Sequence, residues 1–200
     1  MRKEAVFILL LIIAVVAVLS LSNRFSQGTE TDARKFFSED LARTYPDADV
    51  REILSSVQVG EGSSAYYLLS ARVSYNLSTP CPTRLEVAYY YPPQSFVARR
   101  PQQLVGGCRV CGGASGTCVL SYAEEAIIAS HTDPAASQVR DFLSLYPDAK
   151  PSVALLPSWQ SASSVWQVNW TAGDYGLSAY LSQGEGRLLE IQPITPPASP

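Results

Sequence analysis

Four cysteines are the residues of this chain whose type and spacing most directly suggest chemistry: Cys81, Cys108, Cys111 and Cys118. An even number of cysteines is typical of a disulfide framework in an exported protein, and four cysteines allow three pairings. We expect the pairs Cys81–Cys108 and Cys111–Cys118. The second pair would close a small Gly- and Ser-rich loop, and the first would tie the tip of a predicted hairpin to the segment that follows it.

The same cysteines leave two other chemistries open. The spacing Cys108-x-x-Cys111 fits half of a zinc site with four thiolate ligands, although Cys81 and Cys118 do not form a second close pair. A redox-active Cys-x-x-Cys needs its first cysteine at the start of a helix, which lowers the pKa of the thiol. Two glycines follow this motif directly and disfavour a helix there. The sequence therefore indicates disulfide bonds and no cofactor, with zinc and thiol redox chemistry as alternatives.

Side chains for acid–base or hydrolytic catalysis are scarce. His131 is the single histidine, and its position between two predicted helices indicates an exposed helix-end residue rather than a general base. Glu124 and Glu125 are neighbours on a predicted helix, so their side chains point about 100° apart and do not form a cooperating acid and base. No Gly-x-Ser-x-Gly, His-Glu-x-x-His or phosphate-binding glycine motif occurs. We therefore predict that the protein is not an enzyme.

Two kinds of surface site are suggested by the pattern of the chain. Tyrosines are concentrated on two segments that their alternation predicts to be paired strands, so one set of them packs under a helix. Tyr66 and Tyr90 then lie on the outer face as a candidate binding surface; the alternative is that they pack against the rest of the protein. Asn76 and Asn169 each begin an Asn-x-Ser/Thr sequence and are candidate glycosylation sites.

A weak internal repeat organises the elements that would position these residues. Residues 33–50 resemble residues 137–153, because both have an aromatic-rich amphipathic stretch that ends in Tyr-Pro-Asp-Ala. A proline stops each predicted helix, and three or four segments with strand periodicity follow. We therefore expect two α+β units, each with a helix on one face of an antiparallel sheet. The expected boundaries are 24–30 for a spacer, 31–96 for the first unit, 97–118 for a Cys-rich insertion, 119–192 for the second unit and 193–200 for a Pro-rich tail.

An uncharged apolar run at residues 5–21 precedes these units. It is close to the minimum length for crossing a bilayer, and the sequence after it lacks the small residues of a signal-peptidase site. Arg2 and Lys3 before it favour a cytoplasmic N-terminus. We therefore predict an uncleaved single-pass membrane anchor at residues 1–23, with the rest of the chain outside the cytoplasm. A cleaved signal peptide is the alternative.

The end of the second unit has a characteristic order of motifs. Residues 165–191 read VWQVNWTAGDYGLSAYLSQGEGRLLEI, and residues 122–130 read YAEEAIIAS. Together they resemble PepSY-type domains. The resemblance implies a helix on a curved antiparallel sheet, similar to cystatins, in an extracytoplasmic or membrane-tethered module associated with peptidase inhibition or protein interaction and without catalytic residues. Ser182-Gln183 stands where the family usually has an Asp, so no inhibitory residue is carried over.

The expected fold class is α+β, with an N-terminal transmembrane helix followed by two helix-plus-antiparallel-sheet units. The net charge is −3 and lysines are rare, which excludes nucleic acid as a partner. We predict a membrane-anchored extracytoplasmic binding or interaction module whose partners are the membrane and an unidentified protein, with peptidase regulation as the role that the PepSY resemblance implies. The alternatives are a thiol–disulfide or zinc-binding protein that uses the four cysteines, and a structural component of the cell surface.

Overall fold

Three helices and two antiparallel sheets make up the part of the chain that the computed structural model describes, which is residues 29–61, 65–91, 98–99, 103–110 and 118–194. The helices are α1 (Glu30–Thr44), α2 (Ala123–Thr132) and α3 (Ser137–Leu145). The first sheet contains β1 (Val50–Val59), β2 (Tyr66–Tyr75) and β3 (Thr83–Tyr91), with the two-residue strands β4 (Ala98–Arg99) and β5 (Gln103–Leu104) beside β3. The second sheet contains β6 (Lys150–Trp159), β7 (Ala162–Ala172), β8 (Tyr175–Ser182) and β9 (Leu188–Pro193).

The transmembrane helix expected in this fold is not among these elements. No helix in the described ranges is long and apolar enough to cross a bilayer. The longest, α1, has 15 residues and carries several charges, whereas a membrane span needs about 20 predominantly apolar residues. The predicted fold class with its transmembrane helix, and the predicted single-pass membrane localisation, are therefore wrong for the described structure. The predicted anchor itself, residues 5–21, lies outside the described residues.

Helix α1 begins with a reciprocal cap that its sequence specifies. The Oγ1 atom of Thr29 accepts a hydrogen bond from the backbone N–H of Asp32 at 3.2 Å, and the Asp32 carboxylate accepts one from the backbone N–H of Thr29 at 3.0 Å. The helix ends at Thr44, because Pro46 cannot continue it. Its buried apolar residues are Ala33, Phe37 and Leu41.

The inner face of the first sheet packs on α1. Strands β1 and β3 both pair with β2 in antiparallel register, which places Leu69 opposite Tyr89 and Val73 opposite Leu85. Because side chains alternate along a strand, the odd-numbered residues of β2 all face the helix. The rings of Phe37 and Tyr89 meet edge-on with their centroids 4.3 Å apart. This core consists of Ala33, Phe37, Leu41, Tyr45, Ala48, Leu69, Ala71, Val73, Val87 and Tyr89.

Two helices, α2 and α3, cover the second sheet. The strand order is β6-β7-β8-β9, and alternation along β7 buries Trp166, Val168 and Trp170. Both buried indole N–H groups have acceptors: Trp166 donates to the carbonyl of Leu120 and Trp170 to the hydroxyl of Ser130, each at 2.9 Å. The tryptophans of β7 therefore fix the position of α2 on the sheet.

The repeated Tyr-Pro-Asp-Ala sequence makes the same turn in both units. The backbone N–H groups of Tyr45 and Tyr146 close the last turns of α1 and α3, each at 2.9 Å from its acceptor. The N–H groups of Ala48 and Ala149 then donate back to the carbonyls of these tyrosines, at 3.2 and 3.0 Å. Both alanines are buried. The repeat therefore leads each chain segment from a helix into the first long strand of its sheet.

Adjacent phenylalanines on α1 allow the packing of the first unit to be tested. Phe37 is 1% exposed and Phe36 is 41% exposed. We expect Phe37→Ala to lower the free energy of unfolding by about 3–5 kcal/mol, because it leaves a cavity in the core. The matched variant Phe36→Ala should cost less than about 1 kcal/mol. Urea denaturation followed by circular dichroism measures both, and equal losses for the two variants would contradict this packing.

Candidate functional site

A buried ion cluster joins the two units. Glu124, in the first turn of α2, is 1% exposed and meets Arg84 of β3 through two hydrogen bonds, from Nε at 2.5 Å and from Nη2 at 2.8 Å. The hydroxyl of Ser74 on β2 donates to the same carboxylate at 2.7 Å, and Arg72 Nη1 lies 3.6 Å from it. All four residues are buried. We call this set, Arg72, Ser74, Arg84 and Glu124, the ion cluster.

The first sheet also caps the helix that supplies Glu124. The carboxylate of Glu52 on β1 accepts hydrogen bonds from the backbone N–H groups of Ala123 and Glu124, each at 3.2 Å. These N–H groups have no partner within the helix, and a negative charge at a helix N-terminus is favourable. The outer face of the first sheet and the start of α2 are therefore joined by two sets of contacts. Arg84 and Ser74 of the sheet bind the Glu124 side chain, and Glu52 of the sheet binds the helix backbone.

Glu124 and Glu125 have separate structural roles. While Glu124 lies in the ion cluster, the Glu125 carboxylate accepts hydrogen bonds from the backbone N–H groups of Ser121 and Tyr122, at 2.8 and 3.3 Å, just before α2. The interunit contact of Glu124 was not among the predictions from the sequence, which treated these two residues only as a possible acid–base pair. A signal was available, because alternation along β2 and β3 puts Arg72 and Arg84 on the outer face of the first sheet.

A loop of the first unit enters the second unit beside α2. This interunit loop, residues 76–82, begins at Asn76 with a φ of 56°, and the side chain of Leu77 is buried in the core of the second unit. The backbone N–H of Leu77 donates to the Asp49 carboxylate at 3.0 Å, and the hydroxyl of Ser78 donates to the carbonyl of Pro147 at 3.3 Å. The loop is thus held by both units.

An open cavity of about 470 Å³ lies between the interunit loop and the C-terminal half of α2 together with α3. We call it the interunit cleft. Among the residues that the structure describes, its walls combine apolar side chains and hydroxyl groups with two arginines and contain no carboxylate. The lining residues are Ser78, Thr79, Pro80, Cys108, Arg109, His131, Thr132, Pro134, Arg140, Leu143, Ser144 and Pro147.

His131 is part of the wall and is only 2% exposed, which corrects the expectation of an exposed helix-end residue. Its Nδ1 lies 3.0 Å from the carbonyl of Ile127 and its Nε2 lies 3.0 Å from the carbonyl of Thr79 in the interunit loop. Burial lowers the pKa of the imidazole, and the two carbonyls oppose this by raising it. Because both ring nitrogens face backbone carbonyls, the ring is not placed as a general base.

The two arginines of the cleft differ in their partners. Arg140 donates to the carbonyls of Asp133, Pro134 and His131 at 2.6, 3.1 and 3.3 Å, and so caps the C-terminal end of α2. Arg109 is exposed, and no hydrogen bond or ion pair holds its side chain within the part of the chain that the structure describes. Of the two arginines in the described lining, Arg140 is therefore held by backbone carbonyls, and Arg109 is available to a ligand.

A disulfide bond connects the interunit loop to the segment that supplies Arg109. Cys81 and Cys108 are bonded across a sequence separation of 27 residues and form the first of the two expected pairs. Cys118 is also disulfide-bonded, and Cys111 lies outside the described residues. A sulfur in a disulfide offers no thiolate to a metal, so the bonded form does not support the zinc alternative.

The remaining sequence-derived candidates lie away from the cleft. Tyr66 and Tyr90 share the outer face of the first sheet, where both are half-buried with their ring centroids 5.6 Å apart. Asn76 is exposed, whereas the side chain of Asn169 is half-buried and accepts a hydrogen bond from Ser178 at 2.7 Å. The assignment of the tyrosines as a binding surface and of the asparagines as glycosylation sites stays a prediction.

Comparison of the chain with protein-family models, with curated proteins and with solved structures finds no match. The resemblance to PepSY domains therefore stays a prediction. Assignment of a function depends on the geometry of the ion cluster and the interunit cleft.

Removal of the Glu124 charge tests the role of the ion cluster. We expect Glu124→Gln to lower the free energy of unfolding by about 3–5 kcal/mol, because it leaves buried arginines without their carboxylate. Glu39→Gln, on the exposed face of α1, is the matched control and should change stability by less than about 0.5 kcal/mol. Chemical denaturation of both variants measures this, and a Glu124→Gln loss no larger than that of the control would show that the cluster does not hold the units.

His131 makes stability depend on pH above the range where carboxylates titrate. Its folded pKa lies below its ordinary value of 6.5, so the unfolded chain binds a proton first as the pH falls. The free energy of unfolding should therefore decrease as the pH is lowered from about 7.5 through 6.5 and below. His131→Gln should flatten this part of the profile in denaturation curves. An unchanged slope in that variant would assign the pH dependence to other groups.

Proposed function

We propose that this protein is a binding module whose ligand site is the interunit cleft. The observation that carries the proposal is the preformed concave site of about 470 Å³, with mixed apolar and hydroxyl walls contributed by both units. This volume falls within the range of about 300–1,000 Å³ that is common for ligand sites. An apolar surface with a few placed polar groups is the usual composition of such sites.

The cleft has the fixed walls that a binding site needs. Its polar side chains are positioned by backbone contacts: Arg140 on the end of α2, His131 on the interunit loop, and Ser78 on the carbonyl of Pro147. The disulfide between Cys81 and Cys108 holds the segment that carries Arg109 against the interunit loop. A site that is already ordered loses less conformational entropy when a ligand binds.

The same contacts favour binding over hydrolysis. A serine or threonine nucleophile needs a neighbouring base, but the wall hydroxyls donate to backbone carbonyls instead. Ser144 donates to the carbonyl of Asp141 at 2.7 Å, and Thr132 donates to that of Ile128 at 2.8 Å. Both ring nitrogens of His131 also lie against backbone carbonyls, so neither faces a wall hydroxyl. We therefore propose a non-catalytic role.

Substitution at the rim of the cleft tests this function. Ser144 is exposed and lines the cleft, whereas its neighbour Leu145 is 74% exposed and is not part of the lining. In the isotope-labelled full chain, fragments from a small-molecule library should shift the amide resonances of Thr132 and Leu143. Ser144→Trp should abolish these shifts by filling the cleft, and the matched variant Leu145→Trp should retain them.

Circular dichroism serves as the control that both tryptophan variants are folded. The proposal fails if no fragment at millimolar concentration shifts the cleft resonances. It also fails if Ser144→Trp leaves the shifts unchanged, because the fragments would then bind elsewhere.

A further inference from the structure

We propose that the interunit cleft binds the carboxy-terminal end of a polypeptide, with its terminal carboxylate on Arg109 and an apolar last side chain between the cleft walls. This inference rests on the function proposed above and names the chemical class of the ligand. Three properties of the lining support it: its charge, its apolar surface and the direction of its hydrogen bonds.

The charge of the cleft is opposite to that of the chain as a whole. The chain has a net charge of −3, yet the described lining residues of the cleft include two arginines and no carboxylate. The nearby Asp133 carboxylate accepts hydrogen bonds from the backbone N–H groups of Ala135 and Leu188, at 2.8 and 3.2 Å, and does not pair with Arg109. A guanidinium group without a partner fits a carboxylate through two parallel hydrogen bonds.

The apolar surface of the cleft requires an apolar group next to that carboxylate. The apolar part of the lining consists of Pro80 on the interunit loop together with Pro134, Leu143 and Pro147. Removal of such surface from water is favourable in proportion to the area that a ligand covers. A small anion such as inorganic phosphate would leave these walls exposed. The fitting ligand therefore carries its negative charge on an apolar residue.

The hydroxyl groups distinguish a peptide from an alkyl carboxylate. The hydroxyls of Ser78, Thr132 and Ser144 each donate their proton to a backbone carbonyl. Their oxygens keep lone pairs that can only accept hydrogen bonds. The amide N–H groups of a peptide can donate to them, whereas a fatty acid chain has no donor. These acceptors favour a peptide.

The decisive comparison is between two peptides that differ only at the carboxy terminus. We would titrate the full chain, under non-reducing conditions, with acetyl-Ala-Ala-Leu as the free acid and as the amide, and follow the amide resonances of Thr132 and Leu143. The free acid should bind at least about tenfold more tightly, since a charge-assisted pair is lost in the amide. Octanoate, which has the carboxylate but no N–H group, should bind more weakly than the free acid.

Substitution of Arg109 provides the second test of the carboxy-terminal inference. Arg109→Gln should remove the preference for the free acid, because it takes away the positive charge that distinguishes the carboxylate from the neutral amide. Arg43→Gln, at an exposed arginine at the end of α1, is the matched control and should keep the preference.

Each outcome separates the two proposals. Equal affinities for acid and amide, or an unchanged preference in Arg109→Gln, would overturn the carboxy-terminal inference while cleft binding stands. Octanoate binding as tightly as the free acid would overturn the peptide in favour of an alkyl carboxylate. Library fragments that bind the cleft while neither peptide does would also overturn it. If the fragments do not bind either, the proposed binding function fails as well.

Discussion

The arrangement of the two units depends on the buried ion pair between the Glu124 carboxylate and Arg84. The Glu124 carboxylate joins the first turn of α2 to Arg84 and Ser74 of the first sheet. In addition, the Glu52 carboxylate of that sheet accepts hydrogen bonds from the backbone N–H groups of the same turn. Desolvation of buried charges offsets much of their attraction, so such a pair adds little net stability over well-packed apolar residues. Its contribution here is directional, because the fork of an arginine meets a carboxylate in a defined orientation.

The position of α2 in turn determines where the walls of the interunit cleft lie. The helix has 10 residues and is therefore about 15 Å long, with the ion cluster at one end and His131 at the other. Beyond the ion cluster, Leu77 of the interunit loop lies in the core of the second unit, and Thr79 meets the histidine ring. The cleft walls therefore come from elements that are tied together at both ends of a single short helix.

Local patterns in the sequence were sufficient for some parts of this structure and not for others. Alternation along β2 and β3 predicted which tyrosines face the helix, since that property depends on the strand alone. The roles of Glu124 and His131 could not be predicted in this way. Their partners lie 40 to 52 residues away in the chain, at Arg84, Ser74 and Thr79, and only the docking of the two units brings them together. The cleft is formed by the same docking, and therefore it could not be predicted from local sequence patterns either.

The Cys81–Cys108 bond gives the cleft a dependence on the redox state of its surroundings. The closed loop contains β3, and with it Arg84 of the ion cluster, while Cys108 directly precedes Arg109. Closure of a loop with a separation of 27 residues removes about 3.5 kcal/mol of conformational freedom from the unfolded chain on the entropy model. In a reducing environment the Arg109 segment would lose its covalent attachment to the interunit loop and would be held by the contacts on either side of it, the Val105 N–H bond to the Arg84 carbonyl and the packing of Val110 on the second core. If the cleft binds a ligand as proposed, oxidation of the two cysteines fixes the Arg109 segment beside the interunit loop before the ligand arrives.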